Sequence, residues 1–110
     1  MNIKFHTADI VKFIREHKPD GVVHGWVDDK LHQQWNSEGQ LVYESWWVDG
    51  KQHRVGDPAI QEWNSEGKLI REAWWVDGKV HRVGGPAWRK WNSKGQLLRE
   101  EWWVDGKRVK

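Results

Sequence analysis

A 28-residue spacing governs the chain from residue 31 onward. Trp35, Trp63 and Trp91 each open a W-N-S-[EK]-G-[QK]-L segment, and the pairs Trp46–Trp47, Trp74–Trp75 and Trp102–Trp103 each open W-W-V-D-G-K. His53-Arg54-Val55-Gly56 returns as His81-Arg82-Val83-Gly84, followed by Pro58-Ala59 and Pro86-Ala87. Self-similarity of this length marks stacked supersecondary units, each too small to bury its own apolar face alone. The units are 31–58, 59–86 and a shortened 87–110. Residues 22–30 read as the degenerate end of an earlier unit, out of phase by one residue, and residues 1–21 differ from all of these. Together they make a single domain over 1–110.

Turn chemistry decides what each unit is. Asn64-Ser65-Glu66-Gly67 fits a type I turn whose glycine takes the left-handed position of a G1 bulge. Asp77-Gly78 fits a two-residue I′ turn, where both residues need a positive φ. Strands are therefore expected over about 58–63, 69–76 and 79–83, ending at Gly84-Gly85-Pro86 because proline has no N–H for a ladder. The expected fold is mainly β: an antiparallel meander of stacked β-hairpin repeats with one N-terminal α-helix as a cap. For that helix, Thr7 is the N-cap and Asp9 lies in the first turn. Ile10, Val11, Phe13, Ile14 and His17 follow helical spacing, and Pro19-Asp20-Gly21 ends it.

Counting outward from the turns sets a register. It places Trp63 opposite Leu69, Gln61 opposite Arg71, Ala59 opposite Ala73 and Trp75 opposite Val80. One face would carry Trp63, Leu69, Ala59, Ala73, Trp75 and Val80; the other would carry Ile60, Ile70, Trp74, Val76, His81 and Val83. In the third unit the same count puts Arg89 opposite Arg99, and like charges directly opposite destabilise a sheet. The last strand, Lys107-Arg108-Val109-Lys110, is expected to be the exposed edge, its charges guarding against open-ended pairing. A monomer or a specific dimer follows.

Leu, Ile, Val and Phe supply only 24 of 110 residues, and 11 tryptophans make up the deficit. Each tryptophan can bury roughly 150–250 Å², so the core must be built largely from indoles. No cysteine is present, which excludes disulfides, thiolate metal sites and Cys nucleophiles. No apolar run approaches the roughly 18 residues of a membrane span, and the first residues lack a signal-peptide stretch. The expectation is a cytoplasmic chain without membrane contact. Charge is uneven: residues 1–78 hold 9 Lys/Arg against 13 Asp/Glu, net −4, while 79–110 hold 9 against 3, net +6. A basic end suits an anionic partner or head-to-tail contact between copies, or is a solvated surface.

The chemistry-bearing residues mostly obey the repeat. His53 and His81 recur at the repeat spacing, with His24 near the equivalent place, which is architecture rather than a metal-ligand set. Glu44 and Glu72 lie diagonal to them, so a His–Glu hydrogen bond beside Trp46 or Trp74 is expected. Ser37, Ser65 and Ser93 share one turn position, as do Asp49, Asp77 and Asp105, which is turn preference rather than catalysis. No enzyme activity, metal or cofactor is expected. The repeated tryptophans read as core. Trp26 and Trp88 break the pattern, and Trp88, Arg89, Lys90, Arg99 and Trp26 are the candidate partner-binding residues, since Trp and Arg dominate interface hot spots.

The phrase D-G-K-x-H-R-x-x-G-P-A-x-x-x-W-N-S-x-G-x-L, at residues 77–97, resembles MORN-type repeats, nearest the diverged arrays of bacterial antitoxin-like proteins and bacteriophages. The resemblance covers residues 22–110. It implies a β-hairpin array used as a binding scaffold, with no catalytic residues. By that analogy the chain would be a non-enzymatic protein-binding module, such as a phage-encoded inhibitor of a host defence protein (an anti-CRISPR, for example) or a toxin-neutralising protein. Two alternatives stay open: nucleotide or nucleic-acid binding, by Trp stacking with Arg/His phosphate contacts, and a structural repeat or homo-oligomer.

Overall fold

The computed structural model describes residues 30–110 in full and 23–26 as backbone. The expected helix over 1–21 lies outside the described residues. Everything described is turn, loop or antiparallel strand. The strands are β1 (Val23–Trp26), β2 (Leu31–Trp35), β3 (Leu41–Val48), β4 (Lys51–Gln52), β5 (Ile60–Trp63), β6 (Leu69–Ala73), β7 (Trp75–Val76), β8 (Lys79–Val80), β9 (Trp88–Trp91), β10 (Leu97–Glu101), β11 (Trp103–Val104) and β12 (Lys107–Arg108). The main sheet runs β1-β2-β3-β5-β6-β9-β10, each strand beside its predecessor, and β4 pairs with the far end of β3. The pairs β7–β8 and β11–β12 are small separate ribbons rather than continuations of the meander. Trp74 is where the second ribbon leaves the sheet: its N–H donates to Ala87 across the repeat boundary, and its carbonyl accepts from His81.

Both turn types form as the sequence demands. Asp49, Asp77 and Asp105 sit at φ 50°, each followed by a positive-φ glycine, the I′ geometry. In the other turn Gly67 N–H donates to Asn64 O, while Asn64 Oδ1 accepts from the backbone of Glu66 and Lys68. Gly67 and Gly95 hold φ of 79° and 84° with open space where a Cβ would stand, so strain alone resists a side chain there. Gly67→Ala is expected to cost more than about 1 kcal/mol, and Gly67→Asn less, because asparagine tolerates the left-handed region. Equal losses in denaturant melts would contradict the turn.

The register differs from the sequence count by one residue. Trp63 faces Leu69 as expected, but Glu62, not Gln61, faces Arg71, and Ile60, not Ala59, faces Ala73. A bulge follows each of the three Asn-Ser-x-Gly turns, leaving Val42, Ile70 and Leu98 unpaired. One extra residue on one strand moves every later side chain to the other face. One face therefore carries Trp63, Gln61, Glu72 and Trp74, and the other carries Ile60, Glu62, Arg71 and Ala73.

The core is thin and small-residue rich. Trp35, Ala59 and Ala87 are fully buried, with Ile60 and Ala73 close behind. Ser45, Ala73 and Glu101 stand 28 apart and are all buried. Ser45 Oγ accepts the Trp47 indole N–H at 2.8 Å, and Glu101 Oε1 accepts that of Trp103 at 2.9 Å. Ala73 offers no acceptor, and Trp75 Nε1 is buried without a partner. Ala73→Ser is expected to supply one and raise stability by about 1 kcal/mol. A lower melting temperature for that variant would contradict this geometry.

Neighbouring units are joined through their ribbons. His53 Nδ1 accepts the backbone N–H of Asp77 at 3.0 Å, and His81 Nδ1 that of Asp105 at 2.9 Å. This replaces the expected His–Glu contact: Glu44 instead accepts from Gln33 and Trp46, and Glu72 takes Arg89. The guanidinium of Arg54 stacks 4.5 Å from the Trp46 ring centroid, and that of Arg82 stacks 3.9 Å from Trp74. Lys110 Nζ occupies the corresponding place over Trp102.

Candidate cationic surface on the last two hairpins

Strands β6, β9 and β10 lie side by side, and the bulges align their charges. Lys90 faces Arg71 on one side and Arg99 on the other, which makes a row of three cations across three strands. The same row continues backward through Glu62 and Tyr43 to Gln34. Within this row positive charge is thus confined to the last two hairpins. Arg71 is ion-paired with Glu62, and Arg99 Nε lies 2.6 Å from Glu101 Oε2. Lys90 is exposed and forms no ion pair among the described residues.

Glu101 organises the surface from beneath. Its buried carboxylate accepts the Trp103 indole N–H, holds Arg99 and lies 4.0 Å from Arg108. Arg99 so held stands 5.9 Å from the Trp88 ring, at the outer range of a cation–π contact. Trp88 shares this face with Lys90, two residues along β9. Beside Arg71 and Lys90 lies an open cleft of about 440 Å³, lined also by Ile70 and Trp91. The arrangement offers a cation with no counter-charge of its own, two neutralised guanidiniums and indole surface.

Of the five sequence candidates, Trp88, Lys90 and Arg99 come together here. Arg89 does not. It lies on the opposite face, where Glu72 and Glu100 flank it, each carboxylate 3.5 Å from the guanidinium. The expected Arg89–Arg99 repulsion is therefore absent, because the bulge at Leu98 shifts Arg99 onto Lys90. The backbone of Trp26 pairs with His32 at the far end of the sheet. Its side chain lies outside the described residues. Arg71 belongs to the row and was missed by the count. Its place beside Lys90 is set by the pairing of β6 with β9, which joins two units and which no turn within one unit fixes.

A second recess, of about 490 Å³, lies between two ribbons, with Arg54, Trp74, His81 and Arg82 on its walls. Its cations are committed to indole faces and to the carbonyls of Pro58 and Pro86. Val55 and Val83 at its rim are each 79% exposed. Among the described residues no three His, Asp or Glu side chains converge as a metal-ligand set, and no helix is long and apolar enough to cross a membrane. No family model, curated protein or solved structure matches the chain.

Proposed function

We propose that the chain is a non-enzymatic protein-binding module, a 28-residue hairpin array whose last two hairpins receive an acidic surface of a partner protein. The observation that supports this most is Lys90, a lysine set between two arginines and ion-paired with no carboxylate among the described residues. Like charges facing one another oppose sheet formation, and among the described strand pairs they face one another only in this row, which favours another use for them there. An incoming carboxylate would neutralise Lys90 and meet Trp88 alongside, a common pairing of charge and aromatic at interface centres. The MORN-type resemblance favours a binding scaffold, and by analogy an inhibitor of a host defence protein or of a toxin.

The test is affinity capture from the cells that make the protein, with parent chain and Lys90→Glu run side by side. The parent is expected to retain one stoichiometric protein, and Lys90→Glu to lose it by at least tenfold in apparent affinity. Lys90 is exposed, and a carboxylate in its place would face Arg71 and Arg99, so the variant should melt no lower than the parent. Equal capture by both chains would contradict this surface. Retention of nucleic acid instead, falling steeply with salt, would move the reading to a nucleic-acid binder.

A further inference from the structure

We infer that the outer side of β10 takes up an extended acidic segment of that partner as an added antiparallel strand. This rests on the reading above and names how the partner sits. β3 and β6 are each covered on their outer side by the first strand of the next hairpin, β5 and β9 respectively. β10, 28 residues beyond β6, has no strand on that side among the described residues. Leu97 and Leu98 are 49% and 59% exposed, whereas Leu69 and Ile70 on β6 are half-buried.

The backbone is aimed outward for the purpose. Trp74 N–H donates to Ala87 O, just ahead of β9, so by alternation Glu72, two residues earlier, also points its backbone groups at β9. Glu100 occupies the corresponding place on β10. At Trp102 the outward N–H is taken by Lys110 O, where Ala59 and Ala87 carbonyls serve the earlier units. Among the described residues, nothing pairs with the outer side of the stretch from Leu97 to Glu101.

The charges select the occupant. A two-fold pairing of β10 with a second copy sets residues of one face opposite each other: centred on Arg99 it brings Arg99 against Arg99, and centred on Glu100 it brings Glu100 against Glu100 and offers Arg99 only Glu101, already held by its own Arg99 and Trp103. The first register repels outright, and the second gains no free carboxylate to offset its Glu100 pair. A foreign strand with an acidic residue opposite Arg99 extends the cation row favourably, as Glu62 does beside Arg71. The added strand supplies affinity through main-chain bonds, and the residue facing Arg99 supplies selectivity.

The probe is a peptide of residues 57–64, whose strand sits on β3 in the array and whose glutamate would face Arg99 in the same register. A second peptide carries lysine in place of that glutamate. Amide spectra of the 110-residue chain are followed during titration. Saturable shifts at Glu100 and its β10 neighbours are expected, at least tenfold weaker with the lysine peptide. Glu100→Pro should abolish them, since it removes an outward N–H that the β9–β10 ladder does not use. Glu100→Gln should retain them. No saturation at about millimolar peptide, equal binding by Glu100→Pro, or concentration-dependent dimers that Glu100→Pro abolishes would each overturn the inference. Capture of a partner lost in Lys90→Glu but untouched in Glu100→Pro would leave the acidic-partner reading standing and remove the strand.

Discussion

Trp35→Ala is expected to cost about 3–5 kcal/mol, the range for emptying a large aromatic site in a core. Trp35 is the largest fully buried side chain among the described residues. Trp63 and Trp91, 28 and 56 residues on, are only half-buried, so their replacement by alanine should cost less. Trp35→Phe should recover most of the loss. It keeps the ring against its neighbours and removes an indole N–H that is buried without a partner. Denaturant unfolding of the three alanine variants and the phenylalanine variant measures this order. A Trp35→Ala loss below that of Trp91→Ala would contradict the burial.

Ala87→Leu is expected to cost about 1–3 kcal/mol by overpacking. Ala87 is fully buried at the junction where the third hairpin meets the second, its N–H donating to Glu101 and its carbonyl accepting from Trp74. Stacked units contact only their neighbours, so damage at one junction should stay near it. Amide exchange should speed up over residues 88–110 while β2 and β3 keep their protection. Uniform loss of protection along the chain would contradict an array of nearest-neighbour units.

The turns were the most legible part of the structure, because Asp-Gly and Asn-Ser-x-Gly each admit few backbone solutions. From them the hairpins and the neighbour-to-neighbour strand order follow. The register was less legible. A G1 bulge was recognised at Gly67, yet the extra residue, Ile70, lies beyond the turn in a run with no local signal. That single residue decides whether Arg99 meets Arg89 or Lys90. The open edge was only partly legible. Lys107–Arg108 are an exposed edge, but of a small ribbon of their own, whereas the main sheet ends on this side, among the described residues, at β10. The ribbons turn away at Trp74 through contacts to Ala87 and His81, which are distant in sequence. The roles of His53 and His81 were hidden too, since their partner is a backbone N–H of the following unit and not a side chain that a sequence displays.

The cation row is the ground on which both the partner and its seating are argued, and inter-strand NOEs among backbone protons test it most directly. Cross-peaks are expected to join Lys90 to Arg71 on one side and to Arg99 on the other, with Arg89 joined to Glu72 and Glu100. Cross-peaks joining Arg89 to Arg99 would contradict it, since they would restore the unbulged register and disperse the row.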